Sequence, residues 1–311
     1  MMRTRKIGTL EVSVVGLGCN NFGGRLDEAR TAAVVHEALD AGITFFDTAD
    51  IYGGTKSEEY LGRALGARRD EVVLATKFGM AVDDDHKGAK PDYVHRALDD
   101  SLRRLGTDRV DLYQLHAPDP TTPIGDTLAA LDEEVRAGRV REIGCSNFSV
   151  EQLREAAAAV APGAAAFVSV QNQYSLLHRQ PELDVLPECR RTGLAFVPYF
   201  PLAAGVLTGK YRLGQAPPEG ARLAGVQPNQ GLLADANLEA VERLEAIAAR
   251  HGRTMVELAI AWVAAQDPVA SVIAGATAPE QVRANVAAAD WVLGDDDVAE
   301  ISAAVPPPAG A

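Results

Sequence analysis

Short apolar runs alternate with stretches of helical periodicity along nearly the whole of this 311-residue chain, and no other feature limits its fold as severely. Val12–Leu17, Thr44–Phe46, Val72–Thr76, Val110–Leu115, Glu142–Cys145, Phe167–Val170, Ala195–Pro198 and Ser271–Ile273 read as strands. Glu28–Ala41, Ser57–Leu65, Pro91–Leu105, Pro123–Ala137, Val150–Val160, Leu183–Thr192, Asn237–His251, Thr254–Gln266 and Pro279–Val286 read as helices. Asp27 offers the first helix an N-cap, and Gly42, Gly106 and Gly138 stand where helices stop. Strands separated by helices pair in parallel, and eight such units predict an α/β chain wound as a (β/α)8 TIM barrel. The expectation is one domain over residues 1–311, with extra helices and a long loop after the seventh strand. An open doubly wound sheet is the competitor, but no GxGxxG opens a helix after the first strand, and Gly23-Gly24 is only a lone pair. The tail Pro306-Pro-Pro-Ala-Gly-Ala has no apolar periodicity and is expected to fray.

In a parallel barrel the strand ends converge on one face, where active sites lie. Asp47, Tyr52, Lys77 and His116 are each expected just past a strand end. A phenol beside an ammonium, a carboxylate to hold that ammonium and an imidazole nearby make a proton-donating site, which points to carbonyl reduction.

Charge and cysteine usage narrow the setting. A formal net charge of -13 argues against a nucleic-acid partner. Cys19, Cys145 and Cys189 are widely spaced, with no CxxC, which favours buried thiols in a reducing compartment over disulfides or zinc. Met1 to Leu10 lacks the apolar core of a secretory signal, and Leu258–Ala265 is too short to span a bilayer. A cytoplasmic location without membrane or metal is the expectation. Asp83-Asp-Asp reads as a solvated loop tip, and His86, His95, His178 and His251 have no partners at ligand spacing.

Several stretches, taken in order, resemble the aldo-keto reductases. They are Gly42-Ile-Thr-Phe-Phe-Asp-Thr-Ala-Asp-Ile-Tyr-Gly, Ala75-Thr-Lys-Phe-Gly, Asp111-Leu-Tyr-Gln-Leu-His-Ala-Pro-Asp-Pro, Arg141-Glu-Ile-Gly-Cys-Ser-Asn-Phe and Gln171-Asn-Gln-Tyr. Tyr199-Phe-Pro-Leu-Ala-Ala-Gly-Val-Leu-Thr-Gly-Lys-Tyr and Gly275-Ala-Thr-Ala-Pro-Glu-Gln complete the set. The bacterial and potassium-channel β-subunit-like branch looks the nearer one. The resemblance implies Tyr52 as general acid, Lys77 as the charge beside it, Asp47 as the holder of Lys77, and His116 as a hydrogen-bond donor to the substrate carbonyl.

A hydride donor must come from outside the chain, since no side chain supplies one. The resemblance implies a nicotinamide dinucleotide near Cys19, Asn20 and Asp47. Ser146, Asn147 and Gln171 would hold its carboxamide, and Tyr199 would stack on its ring. Phe200, Pro201, Leu202 and Gly205 would cover the pyrophosphate, although Phe200 stands where many members have Ser. Gly275, Thr277, Gln281 and Asn285 match the adenosine end, where Thr277-Ala278 lacks the basic residue many members carry and Ala284 replaces a common Glu. Lys210 and Arg222 match cations that the channel-like branch brings from the long loop. With Arg222 closing over a 2′-phosphate, NADP(H) is favoured over NAD(H).

The partner expected at the other end is a small aldehyde or ketone. Phe22 and Phe78, with Tyr52 and His116, are the candidate substrate residues. The loops near Asn20–Phe22, Phe78–Lys87, Ala117–Thr121 and Gly205–Gln230 would wall the pocket. The alternatives are an NAD-dependent sugar or alcohol dehydrogenase, and a cofactor-sensing regulatory subunit with slow turnover. No protein partner can be named.

Overall fold

The computed structural model describes residues 2–225 and 230–305. The expected tail and part of the long loop after the seventh strand lie outside the described residues. The chain opens with a hairpin, β1 (Thr4–Ile7) paired antiparallel to β2 (Leu10–Ser13). Then come β3 (Val15–Gly18), α1 (Glu28–Asp40), β4 (Phe45–Asp47), α2 (Lys56–Leu65), β5 (Val73–Phe78), α3 (Pro91–Leu105), β6 (Val110–Leu115) and α4 (Ile124–Arg136). The second half runs β7 (Val140–Ser146), α5 (Val150–Ala159), β8 (Phe167–Gln171), α6 (Val185–Thr192), β9 (Ala195–Phe196), α7 (Asp235–Arg250), α8 (Met255–Ala265), β10 (Val272–Gly275), α9 (Pro279–Ala287) and α10 (Asp295–Ala303).

Strands β3 to β10 form an 8-stranded sheet in the order β10-β3-β4-β5-β6-β7-β8-β9, every neighbour parallel. A bridge between Phe196 and Val269 joins the two edges, so the sheet curls into the expected barrel. Local chemistry starts the helices where they are found. Asp27 accepts the Arg30 amide at α1, and Ser149/Gln152 and Thr254/Glu257 form capping boxes at α5 and α8.

One expected strand is two. The run Val12–Leu17 is divided at Val14, whose N–H bonds the Arg3 carbonyl while its own carbonyl accepts from Val272. Before it the chain belongs to the hairpin, and after it to the barrel. An unbroken apolar run carries no mark of such a change of partner. The hairpin is a plug: Ile7, Leu10 and Val12 pack with Phe45, Val73, Ala75 and Leu112 inside the barrel. The Arg5 guanidinium ties it down on the carbonyls of Ala264 and Val269. Helix α10 was not expected either; its first turn is Asp295, Asp296 and Asp297, and Ile301 is its one buried residue, which leaves almost no apolar stripe to read.

Among the described residues no helix is long and apolar enough to cross a membrane, and no group of three or more potential metal ligands occurs.

Candidate active site

Three strand ends, not four, carry the tetrad. Asp47 is the last residue of β4 and Tyr52 follows on the same loop, while Lys77 lies inside β5 and His116 directly follows β6. Parallel pairing sets them side by side, with Asp47 opposite Ala75 and Lys77 opposite Gln114. Lys77 is fully buried, and its ammonium donates to Asp47 Oδ2 at 2.6 Å, to the Thr48 carbonyl at 2.8 Å and to the Tyr52 hydroxyl at 3.5 Å. The other carboxylate oxygen, Oδ1, accepts from Gln171 Nε2 at 2.9 Å and from Gln114 Nε2 at 3.1 Å. A buried ion pair is tolerable when its remaining lone pairs and protons are satisfied in this way.

The Tyr52 loop is folded back tightly. Its Asp50 N–H bonds the Lys77 carbonyl, and the Ser57 N–H bonds the Tyr52 carbonyl. Gly53 has φ +59°, and a Cβ there would lie 2.2 Å from the Phe22 carbonyl oxygen, so only glycine lets this loop rest on its neighbour. The His116 ring meets the Tyr52 ring edge-on, centroids 5.7 Å apart.

Burial is the largest influence on the Tyr52 phenol and raises it above its ordinary value. The Lys77 ammonium draws it down, Asp47 pushes it up, and the net direction is upward. Lys77 suffers the opposite burial effect, yet Asp47 and Tyr52 outweigh it and the ammonium is strengthened. Burial, then Lys77, depresses His116 to about 3, so its imidazole is neutral at physiological pH. Its Nδ1 is buried and has no hydrogen-bond partner among the described residues, which leaves Nε2 as the nitrogen that can serve the cavity. Asp50 is buried too; burial and the Glu58 carboxylate raise it to about 8 despite Arg104.

Above this cluster lies a cavity of about 600 Å³. All the residues expected to hold a cofactor border it, from Cys19 and Asn20 to Gln281 and Asn285. At the inner end Ser146 donates to the Gln171 carbonyl, Asn147 Nδ2 bonds the His116 carbonyl, and the Tyr199 hydroxyl donates to Asn147 Oδ1. Gln171 spends its amide on Asp47, a partner the sequence did not indicate.

The outer end is basic. Arg25, Lys210 and Arg222 line it, and among the described residues none of the three forms an ion pair or a side-chain hydrogen bond. Partial burial and then Arg25 and Arg222 lower Lys210, and partial burial and then Arg25 lower Arg222. Lys210 Nζ would be 3.0 Å from a Cβ at Gly205, whose φ is +92°.

Two expectations fail on geometry. Phe22 and Phe78 are fully buried and do not border the cavity. Phe78 stacks on Tyr113 at 4.7 Å in the layer between sheet and helices, because the side chain following inward Lys77 on a strand must face the opposite side. Met80 and Ala117 border the cavity instead. Two residues went unread. Gln114 sits within Asp111-Leu-Tyr-Gln-Leu-His and bonds Asp47, and its inward alternation with Leu112 was the available signal. Arg25 lies in a loop without periodicity, and nothing local links it to Lys210.

Comparison with known proteins agrees with this architecture. The model of the aldo/keto reductase family matches residues 14–306. Aldo-keto reductase yakc of Schizosaccharomyces pombe, whose name specifies NADP(+), is 37% identical over 96% of this chain and 90% of its own. Aldo-keto reductase YhdN of Bacillus subtilis is 35% identical over 94% of this chain and 90% of its own. The structure of a glycerol dehydrogenase from Gluconobacter oxydans superposes with TM-score 0.85 at 30% identity, covering 97% of this chain and 94% of that one. With a family match over nearly its whole length and barrel ends arranged in this way, the chain is an oxidoreductase and belongs to the aldo/keto reductase family.

Proposed function

We propose that the protein reduces aldehydes or ketones to alcohols, with NADP(H) as hydride donor and Tyr52 as general acid. The observation that carries the reading is a cavity bordered by Tyr52 and neutral His116 and also by three cations that are unpaired among the described residues. Amide and hydroxyl groups beside the flat Tyr199 ring suit a carboxamide-bearing ring, and unpaired cations suit phosphates. The nicotinamide, when bound, supplies the hydride.

The chain's own residues handle the proton and the orientation. Tyr52 Oη gives its proton to the carbonyl oxygen as negative charge develops there. The Lys77 ammonium stabilises the phenolate left behind, and Asp47, held by Gln114 and Gln171, keeps that ammonium charged and aimed. His116 donates from Nε2 to the same carbonyl oxygen, which requires the Nε2–H tautomer. The half-turn of Gly53 fixes where the phenol stands.

Alcohol oxidation with NAD is the second reading, favoured by the resemblance to a glycerol dehydrogenase and by the missing basic residue at Thr277-Ala278. The test is to titrate the protein separately with NADPH and NADH by fluorescence quenching, then add a panel of aldehydes to the tighter pair. Tight NADPH binding with consumption on aldehyde addition is expected. Preference for NADH with turnover of polyols would establish the second reading instead.

A further inference from the structure

Phe200 combines three features that ordinary packing does not require together. It is 37% exposed, its backbone is left-handed at φ +55°, and it stands at the mouth of the cavity. A bulky residue in that backbone region is strained, and strain persists only where surrounding contacts impose it. The contacts are specific. The Tyr199 ring meets Phe200 edge-on at 5.2 Å, and the Arg222 guanidinium lies over its face, 5.0 Å from the ring centroid.

Arg222 needs such a seat. It shares the cavity lining with Arg25 and Lys210, both of its own sign, and among the described residues no carboxylate pairs with it. Elsewhere the chain commonly settles its arginines on carboxylates, as with Arg104 on Glu58 and Arg139 on Glu134. A carboxylate at the rim would neutralise the guanidinium and compete with an incoming phosphate. An aromatic face attracts the cation through its quadrupole and leaves the charge uncancelled. Lys210 is treated alike, its ammonium 5.4 Å from the Tyr211 ring centroid, while the Tyr211 hydroxyl accepts the Leu223 N–H and so ties the two basic segments together.

We propose that Phe200 is a positioning residue whose ring holds the Arg222 guanidinium at the cavity rim, uncancelled and in place for the 2′-phosphate of NADP(H). The inference rests on the NADP(H) reading above and adds to it how this chain keeps its cation ready.

A double-mutant cycle tests it, with dissociation constants for NADPH and NADH measured on wild type, Phe200→Leu, Arg222→Ala and the double variant. Melting temperature and NADH binding report whether each variant is folded. Phe200→Leu should weaken NADPH by about 2- to 5-fold, the range of an exposed cation–π contact, and should lower the NADPH-to-NADH affinity ratio. In the Arg222→Ala background the same substitution should cost NADPH nothing further, and with Arg222 present Phe200→Trp should keep NADPH binding near the wild-type value. Equal losses in both backgrounds, or no loss in either, would overturn the positioning role. Should Phe200→Leu not fold, Phe200→Ser enters the same cycle with the same two outcomes. A wild type that binds NADH but not NADPH would overturn the cofactor reading itself, a result distinct from additivity in the cycle.

Discussion

The Lys77 ammonium stands 3.5 Å from the Tyr52 hydroxyl and 5.1 Å from the centre of its ring, fully buried and without access to water. The phenol, which borders the cavity, therefore shares one buried cation with Asp47. Burial alone would make Tyr52 a poor acid, so the Lys77 charge decides whether the proton can leave.

Replacing Tyr52 by Phe should lower turnover by about 10²- to 10⁴-fold, the usual loss for a general acid, with cofactor affinity nearly kept. Replacing Lys77 by Met should do comparable damage, because it also strands the Asp47 carboxylate. Steady-state kinetics with a saturating aldehyde decide it. Near-normal turnover of Tyr52→Phe would remove the phenol from the mechanism.

His116, held at about 3, should contribute no acid limb to the pH profile of kcat/KM between about pH 5 and 8. His116→Gln should lower turnover while leaving the profile's shape unchanged across that range. An inflection near 6.5 that disappears in the variant would show a titrating imidazole. For stability the sign is set by a depressed folded value. The unfolded chain takes up a proton that the folded chain refuses, so this group lowers stability as pH falls from about 6.5 towards 3.

Asp50 works in the opposite window. Its carboxyl is raised to about 8 by burial and Glu58, against about 3.9 unfolded. Between those values the folded chain keeps a proton that the unfolded chain releases, so the group's contribution to stability is lost as pH rises. Asp50→Asn removes that dependence. Its melting temperature relative to wild type should climb from pH 5 to pH 9; a constant difference would mean that the carboxyl is not held neutral.

Arg25 was found only in three dimensions, and it should matter for phosphate. Arg25→Ala should weaken NADPH by about 10-fold or more, as expected for one charged hydrogen bond, and weaken NADH less. Equal weakening of the two would place Arg25 away from the 2′-phosphate.

What was legible in the sequence follows the distance over which each signal acts. Apolar runs and capping residues are local, and they marked the barrel's strands and most helices, including Asp27 and Gly106. Motif order carried Asp47, Tyr52, Lys77 and His116. What failed depends on partners far along the chain. Val12 and Val15 look alike, yet one plugs the barrel and the other builds its wall. Phe22 and Phe78 are apolar near the site, yet both side chains are buried in the core, Phe78 because strand alternation turns it away from the inward side of Lys77. Arg25 lines the same cavity as Arg222, almost two hundred residues further along a sequence that gives no hint of it.

The basic rim also has a kinetic consequence, because it is an island in a chain of net charge -13. At physiological ionic strength a charge is felt over roughly 8 Å. The phosphorylated dinucleotide proposed above would thus be repelled by the molecule as a whole until it came within reach of the three cations. Added salt should act with opposite signs on the two halves of the encounter, easing arrival through the outer field while shortening residence at the rim.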